Sequence, residues 1–384
     1  MSKLTPRERV LRTLRRQEPD RVPLDLGTTT STTMVNAAHE RLMKHLGFKG
    51  EGRLISVMFQ LVLVDEAILR ACEIDLRPVM GKGASRSSGG TYRPDGTFVD
   101  EWGIAYRRPP GGLYYDIIAS PLREATLRDL ESYPFPDPLD PGRVAEVEEE
   151  AKELHQNTDS AVVGTPGGPV NIFELSWYLR GLDRLLMDLI VDKPFVHALL
   201  RKVTDLQKAK YGEFLKKCGK YLDIVRVGDD MGTQQQPFFS PALYREMIKP
   251  YHQEYFSFIK EHTDAALMLH SCGNVYPLIP DLIDAGVDIL NPIQVSARDM
   301  DPKRLKQEFG DQLVFSGAID TQHVLPYGSP QAVEEEVRRR IQELGPGGGY
   351  MIASVHNIQP DVPPENVVAM FRAGLKYGSY PLPS

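Results

Sequence analysis

From about residue 140 onward, short apolar segments of strand length alternate with longer helical patterns along the chain. Strands that are apolar throughout and covered by helices form a parallel sheet, because both of their faces are buried. Six segments are predicted to be such strands: 161–164, 224–228, 266–270, 287–290, 313–316 and 350–353. The stretches between them predict helices, for example 194–217, 241–262, 275–285, 330–344 and 364–377. The alternation therefore predicts an α/β protein built around a parallel sheet.

Two further strands bring the predicted number to eight. One covers residues 22–26, and the other lies near 54–58 or 76–80. No Gly-x-Gly-x-x-Gly motif follows the first strand, which disfavours a dinucleotide-binding sheet. A chain of 384 residues is long enough for one eight-stranded barrel with insertions. We therefore predict a (β/α)8 TIM-type barrel that forms a single domain over residues 1–384.

Two segments are predicted outside the barrel. At the N-terminus, Thr5-Pro6-Arg7-Glu8 combines an N-cap, a proline in the first turn and a capping-box glutamate, and predicts a helical extension to about Arg16. Residues 93–118 alternate aromatic and β-branched residues with Pro-Asp-Gly and Pro-Pro-Gly-Gly turns, which predicts a β-hairpin insertion. With a Pro/Asp-rich connector, this insertion covers about residues 85–140. Its aromatic residues are Trp102, Tyr106, Tyr114 and Tyr115.

Composition excludes several classes of partner. The net charge of -7 leaves no basic surface for nucleic acid. No segment approaches the ~18 apolar residues of a membrane span, and the N-terminal segment lacks the apolar core of a signal peptide. The three cysteines, Cys72, Cys218 and Cys272, are too few for a disulfide framework and fit a reducing compartment. We therefore expect a cytoplasmic protein.

Polar or small residues follow almost every predicted strand. In barrels of this type the reactive groups collect at the carboxyl ends of the strands. The strand ends read Asp25; Gly164-Thr165-Pro166; Gly228-Asp229-Asp230; His270-Ser271-Cys272-Gly273; Asn291-Pro292-Ile293-Gln294; Ser316-Gly317-Ala318-Ile319-Asp320; and Ser354-Val355-His356-Asn357. Since the fold alone does not require such residues, we predict a functional site at this face.

His270 and Cys272 are candidate metal ligands. They lie two residues apart on extended chain, so their side chains point to the same side. Imidazole and thiolate together suit Zn²⁺, and His356 at a later strand end is a candidate third ligand. Three protein ligands leave one position open, as in a catalytic zinc site, where the ion acts as a Lewis acid. A purely structural His/Cys pair is an equal alternative on spacing alone.

Three aspartates at strand ends have two interpretations each. Asp229 and Asp230 are candidate catalytic acids or bases, or a further metal ligand. The alternative is that they cap a helix at a strand-to-helix turn, which is common. Asp25, at the end of the first strand, is either a substrate contact or a structural residue.

The polar residues after the later strands are candidate substrate contacts. Asn291 and Gln294 are placed to hydrogen-bond a substrate, or they are turn residues around Pro292. Asp320 either orients a base or caps a helix. Their joint position on one face of the barrel favours a role at the site.

The chain resembles the uroporphyrinogen decarboxylase superfamily, which also contains zinc-dependent methyltransferases that work with corrinoid proteins. The likeness spans nearly the whole chain. The matching motifs are Thr5-Pro-Arg-Glu-Arg-Val, Arg21-Val-Pro-Leu-Asp, His270-Ser-Cys-Gly-Asn, Asp288-Ile-Leu-Asn-Pro-Ile-Gln and Pro363-Pro-Glu-Asn. The resemblance implies the barrel fold and one of the two reactions.

Two motifs separate the branches of the superfamily. Decarboxylases carry an arginine-rich Met-Arg-Gln-Ala-Gly-Arg motif for the substrate's carboxylates, whereas Pro23-Leu-Asp-Leu-Gly-Thr-Thr-Thr-Ser here has no arginine. Burying unpaired carboxylates is costly, so this absence argues against a porphyrinogen substrate. His270-x-Cys272 matches the zinc motif of the methyltransferase branch, but His356 stands where that branch has a second cysteine. Decarboxylases carry a histidine near this place, so His356 is compatible with either branch. A His/Cys/His site would be more Lewis acidic and would favour an ether or alcohol donor.

The sequence therefore predicts a zinc-dependent methyltransferase. It would move a methyl group between a small methylated substrate, or a thiol acceptor, and a corrinoid on a partner protein. The resemblance implies zinc held by His270, Cys272 and His356. The alternatives are decarboxylation of a porphyrinogen or related acid, with Asp25 gripping the substrate, and a non-catalytic module that binds a corrinoid or ligand. A homodimer is compatible with the sequence.

Overall fold

The computed structural model describes residues 3–86, 90–112, 114–168 and 170–382. The strands are β1 (Met34–Val35), β2 (Arg53–Ser56), β3 (Leu61–Leu63), β4 (Leu76–Met80), β5 (Gly90–Tyr92), β6 (Thr97–Asp100), β7 (Ala105–Arg107), β8 (Asp116–Ala119), β9 (Ala161–Thr165), β10 (Ile224–Gly228), β11 (Ala266–His270), β12 (Ile289–Ile293), β13 (Val314–Ile319) and β14 (Tyr350–Ser354).

The helices alternate with the strands in the second half of the chain. They are α1 (Pro6–Leu14), α2 (Asn36–His45), α3 (Glu66–Ala71), α4 (Leu127–Ser132), α5 (Val147–Asn157), α6 (Phe173–Arg180), α7 (Leu182–Val191), α8 (Lys193–Cys218), α9 (Pro241–Met247), α10 (Lys249–His262), α11 (Ile279–Asp284), α12 (Pro302–Phe309), α13 (Val324–Tyr327), α14 (Pro330–Leu344) and α15 (Pro364–Tyr377). Short 3-10 turns cover Pro141–Val144, Gly219–Tyr221 and Tyr276–Leu278. In the described parts of the chain, no helix is long and apolar enough to cross a membrane.

Seven parallel strands form the barrel sheet, in the order β14-β13-β12-β11-β10-β9-β4. The segment around Leu24 fills the eighth place. Leu24 forms a parallel bridge to Ile352 of β14, and its carbonyl accepts the Asp75 N–H, just before β4, at 3.0 Å. The TIM-type barrel is thus confirmed. The strand near 76–80 belongs to it, whereas β2 lies in a separate antiparallel sheet with β1 and β3.

Helix α1 closes the N-terminal end of the barrel. Its predicted capping box is present, with Thr5 and Glu8 each bonding to the other's backbone N–H. Val10 of α1 packs with an apolar layer contributed by all seven sheet strands. The layer consists of Leu76, Ala161, Val163, Ile224, Met268, Ile289, Val314 and Met351, all buried. Because one end is packed shut, the site must be reached from the carboxyl ends of the strands.

The predicted insertion is larger than one hairpin. Strands β5 to β8 form a four-stranded antiparallel sheet in sequential order. The predicted range 93–118 contains β6, β7 and most of β8, and β5 precedes it. Residues 87–89 and 113 of this insertion lie outside the described residues. The aromatic side chains pack together, with Phe98 and Tyr106 ring centroids 6.4 Å apart. The sheet lies beside the barrel mouth, where Trp102 and Tyr106 line a cavity.

Candidate metal centre

The three predicted metal ligands converge at the barrel mouth. His270 ends β11, Cys272 follows two residues later, and His356 follows β14. Their ligand atoms all lie within 4.8 Å of one another. The His270 Nε2–Cys272 Sγ distance is 3.4 Å, close to the separation of about 3.5 Å between nitrogen and sulfur on a tetrahedral zinc ion. The donor set and spacing therefore fit Zn²⁺.

Asn291 fixes the orientation of His270. The Asn291 Oδ1 atom lies 2.7 Å from His270 Nδ1, and Asn291 Nδ2 donates to Ser316 Oγ at 3.1 Å. Because an amide oxygen only accepts hydrogen bonds, Nδ1 carries the ring proton and the Nε2 lone pair faces Cys272. A hydrogen-bonded ligand histidine of this kind is typical of metal sites. The predicted contact of Asn291 with substrate stays a prediction, since both ends of its amide bond within the protein.

The loop that carries Cys272 is held by backbone hydrogen bonds. The Cys272 N–H donates to Asp230 Oδ1 at 2.8 Å, and the Gly273 N–H donates to Gln294 Oε1 at 2.6 Å. At Gly273, φ is +84° and a Cβ atom would lie 2.5 Å from the Gly232 backbone, so only glycine fits. Burial, with Asp230 nearby, raises the pKa of the Cys272 thiol well above its ordinary value. A bound cation would reverse this effect, because metals bind the thiolate.

Asp229 and Asp230 have different environments. Asp229 is buried and caps α6, accepting the N–H groups of Ile172, Phe173 and Glu174 at 3.2, 2.9 and 2.5 Å. Asp230 instead lies at the centre, with Oδ1 3.9 Å from His270 Nε2 and its side chain 33% exposed. Burial raises the pKa of Asp230. Of the two carboxylates, Asp230 is the one that lies beside the candidate ligands and is partly accessible.

Two charged residues at the centre were missed by the sequence analysis. Glu174 is buried and accepts the Asp230 N–H and the Tyr178 hydroxyl, both at 3.1 Å. Burial, and then the charge of Asp230, raises the pKa of Glu174 well above its ordinary value. Arg226 is buried on β10 and donates to Ser31 Oγ at 3.3 Å. Glu174 sits at the start of a helix and gave no signal, whereas an arginine inside the apolar strand Ile224–Gly228 could have been noticed.

The remaining predicted residues lie around the centre. Asp25 is buried and accepts the Thr28 hydroxyl at 2.6 Å, and burial raises the pKa of Asp25 to about 6. Asp320 accepts the Gln322 N–H at 2.7 Å and so holds the turn after β13. Neither carboxylate lines the cavities that contain the metal ligands. Gln294 does line one of them.

Cavities open on two sides of the candidate ligands. One, of about 520 Å³, is lined by Cys272, His356 and Gln294. The other, of about 190 Å³, is lined by His270, His356, Glu174, Arg226 and Asp230 among others. His356 lines both cavities, so the centre lies between them.

The fold agrees with the comparisons to known proteins. A model of the uroporphyrinogen decarboxylase (URO-D) family matches residues 112–377, which is more than half of the chain. The chain belongs to the URO-D family. The resemblance that the motifs indicated is thereby confirmed.

Relatives within the URO-D family include both kinds of enzyme. A uroporphyrinogen decarboxylase of Alkalilimnicola ehrlichii is 24% identical over 95% of this chain and 93% of its own length. A methylated-thiol–coenzyme M methyltransferase of Methanosarcina mazei is 23% identical over 66% of this chain and 64% of its own length. A solved structure described as a methyltransferase from Methanosarcina mazei has a TM-score of 0.69 and 19% identity, covering 97% of this chain and 99% of that one. At this identity the structural likeness shows the shared fold.

Proposed function

We propose that this URO-D family member is a zinc-dependent methyltransferase that moves a methyl group between a small methylated compound and a corrinoid on a partner protein. The observation that supports this best is the convergence of His270, Cys272 and His356, with the Nε2 lone pair of His270 oriented by Asn291. A bound zinc ion would supply Lewis-acid activation of the heteroatom that carries or receives the methyl group. A cytoplasmic location, a single domain and a homodimer stay predictions.

The side chains around the candidate metal ligands would position those ligands, transfer a proton and contact the substrate. Asn291 positions His270, and Asp229 positions Glu174 by capping α6. Asp230 holds the Cys272 loop and, being partly exposed with a raised pKa, takes or returns the proton of an alcohol or thiol. Gln294 would contact the group that enters beside Cys272.

Decarboxylation of a porphyrinogen is disfavoured by the charge of the cavities. A substrate with eight carboxylates requires several cationic partners, because unpaired buried charge is costly. Among the described residues, the lysine and arginine side chains lining the three cavities at the barrel mouth are Arg226 and Lys210. Two cations are too few for such a substrate.

Metal content and methyl transfer test the proposal together. The purified chain is loaded with zinc, its metal content is measured, and methylcobalamin formation from cob(I)alamin is followed spectroscopically with methyl ethers, methanol and methylated thiols. We expect about one zinc per chain and turnover of at least one donor, with both reduced to background in Cys272→Ser. The matched control is Cys72→Ser, which removes a buried thiol outside the centre.

Three results would contradict this assignment. A wild-type chain that takes up no zinc would exclude the mechanism. Release of CO₂ from a porphyrinogen, with no methyl transfer from any donor, would favour the decarboxylase. Zinc uptake without either reaction would favour a binding module.

A further inference from the structure

A large cavity adjoins the metal centre beneath the four-stranded sheet β5–β8. Its volume is about 710 Å³, and Thr30, Phe59, Val170 and Tyr178 line both it and the 190 Å³ cavity that contains His270. A one-carbon donor such as methanol would leave nearly all of this space unfilled. The cavity therefore fits a larger molecule that extends away from the metal ligands.

The walls of this cavity are mainly aromatic and apolar. Phe59, Phe98, Trp102, Tyr106 and Leu175 all contribute to its lining. Such surfaces favour a flat apolar body, because aromatic rings bury a large area and stack on one another. A few polar groups in an apolar site then decide the orientation of the ligand.

Three charged residues line the cavity, and both carboxylates already have partners. Asp100 accepts the N–H groups of Trp102 and Ile104, each at 2.9 Å, and the Tyr106 hydroxyl at 3.0 Å. Glu101 forms a two-pronged ion pair with Arg143, with distances of 3.0 and 2.6 Å. The third charged residue is Lys210.

Lys210 retains hydrogen-bonding capacity toward the cavity. Its Nζ donates to the Gly167 carbonyl at 2.5 Å. Within residues 3–86, 90–112, 114–168 and 170–382, no carboxylate oxygen forms an ion pair with it inside 4.0 Å. An ammonium group has three donors. Burial, with Arg143 close by, lowers the pKa of Lys210 to about 8, so the ammonium form still predominates at pH 7.

We propose that this cavity binds a monocarboxylate with an apolar, ring-sized body, and that the carboxylate pairs with Lys210. One ammonium matches one carboxylate, whereas a phosphate usually has several N–H donors around it. In treating this molecule as the methyl donor, the inference rests on the proposed function. The binding itself requires no reaction.

Calorimetric titration of the zinc-loaded full chain tests the subsite with two probes of nearly equal shape. These are para-methoxybenzoate and its neutral counterpart para-methoxybenzamide. We expect wild type to bind the carboxylate about 10- to 100-fold more tightly than the amide, the range for a hydrogen bond to a charged group. Lys210→Met should remove that preference and Lys210→Arg should retain it. The matched control is Lys208→Met on the same helix, which removes an ion pair with Glu254 outside the cavity.

Equal affinity of wild type for both probes, or no binding of either, would overturn the subsite. So would an equal loss for both probes in Lys210→Met, which would reveal only a structural role at the Gly167 carbonyl. If Lys210→Met does not fold, the wild-type comparison and Lys210→Arg still decide. Binding selectivity without methyl transfer would sink the proposed function alone. Methyl transfer from carboxylate-bearing donors that is unchanged in Lys210→Met would contradict the subsite alone.

Discussion

At the scale of single residues, the Asn291 amide determines which face of His270 is available. Asn291 lies opposite His270 in the register of β11 and β12, so its side chain reaches the imidazole directly. The hydrogen bond holds the His270 ring in one rotamer and one tautomer before a metal ion binds, so binding does not have to select them. The candidate metal ligand His270 is therefore oriented by a residue of the neighbouring strand.

Replacing Asn291 with alanine should weaken zinc binding about 10- to 100-fold, the usual cost of losing a residue that orients a ligand. Competition with a chromophoric chelator measures the affinity. Asn291→Asp keeps an acceptor for Nδ1 and should lose less. Asn274→Ala is the matched control, because that buried amide bonds to the Gln235 carbonyl and does not touch His270. Unchanged affinity in Asn291→Ala would show that His270 needs no such support.

The candidate metal ligands and several residues beside them were named from the sequence, but Glu174 and Arg226 were not. His270, Cys272 and His356 follow parallel strands, and the carboxyl ends of such strands meet at one edge. Glu174 reaches the centre from a helix, whose position relative to the barrel depends on long-range packing. No local pattern reports that position.

At the scale of elements, Asp229 joins three of them. It directly follows β10, caps α6 and accepts a hydrogen bond from His252 Nε2 of α10 at 2.8 Å. An aspartate at a strand end can be recognised as a helix cap from the sequence, but the order of the chain suggests that it caps the helix that follows it. Here the capped helix precedes it by some 55 residues. Only the folded chain brings the two together.

Asp229→Ala should lower the free energy of unfolding by about 3 kcal/mol or more, because it leaves backbone N–H groups and His252 buried without their acceptor. Urea denaturation followed by circular dichroism measures the change. Asp230→Asn should cost less than about 1 kcal/mol, since its carbonyl oxygen can still accept the Cys272 N–H. Equal stability of Asp229→Ala and wild type would contradict the capping role.

Element boundaries were predicted best where proline and a capping residue mark the start. The helices α14 and α15 have the predicted limits. The predicted helix 241–262 is interrupted at Ile248, because Pro250 in the first turn of α10 has no N–H to continue the preceding helix. The hydrophobic periodicity continues across this break, so it does not reveal where one helix ends and the next begins.

At the scale of the whole molecule, Asp75 closes the barrel. It accepts Arg9 Nη1 at 2.6 Å, Arg21 Nη1 at 2.8 Å and the Leu24 N–H at 2.8 Å. Its own N–H donates to the Leu24 carbonyl. The sequence predicted a strand over 22–26, but Pro23 cannot donate a ladder hydrogen bond and Leu24 alone bridges to β14. Hydrogen bonds to the Asp75 carboxylate thus replace some of the backbone hydrogen bonds that a regular eighth strand would form.

Asp75→Ala should lower the free energy of unfolding by about 3–5 kcal/mol, because it leaves the buried Arg9 charge without one of its two carboxylates. Chemical denaturation gives the value. Asp284→Ala, which removes an exposed carboxylate that pairs with Lys249, is the control and should cost less than about 1 kcal/mol, because Lys249 keeps its pair with Asp281. A loss at Asp75 no larger than at Asp284 would mean that backbone pairing alone seals the barrel.

Helix α1 closes one end of the barrel, so the interior is accessible from the other end. Val10 packs against the innermost side chains at the closed end, so substrate and product molecules cannot pass through the barrel from one end to the other. Whatever reaches His270 and Cys272 must leave past the same rim by which it arrived. Substrate entry and product release therefore both take place at the end of the barrel where the two cavities open.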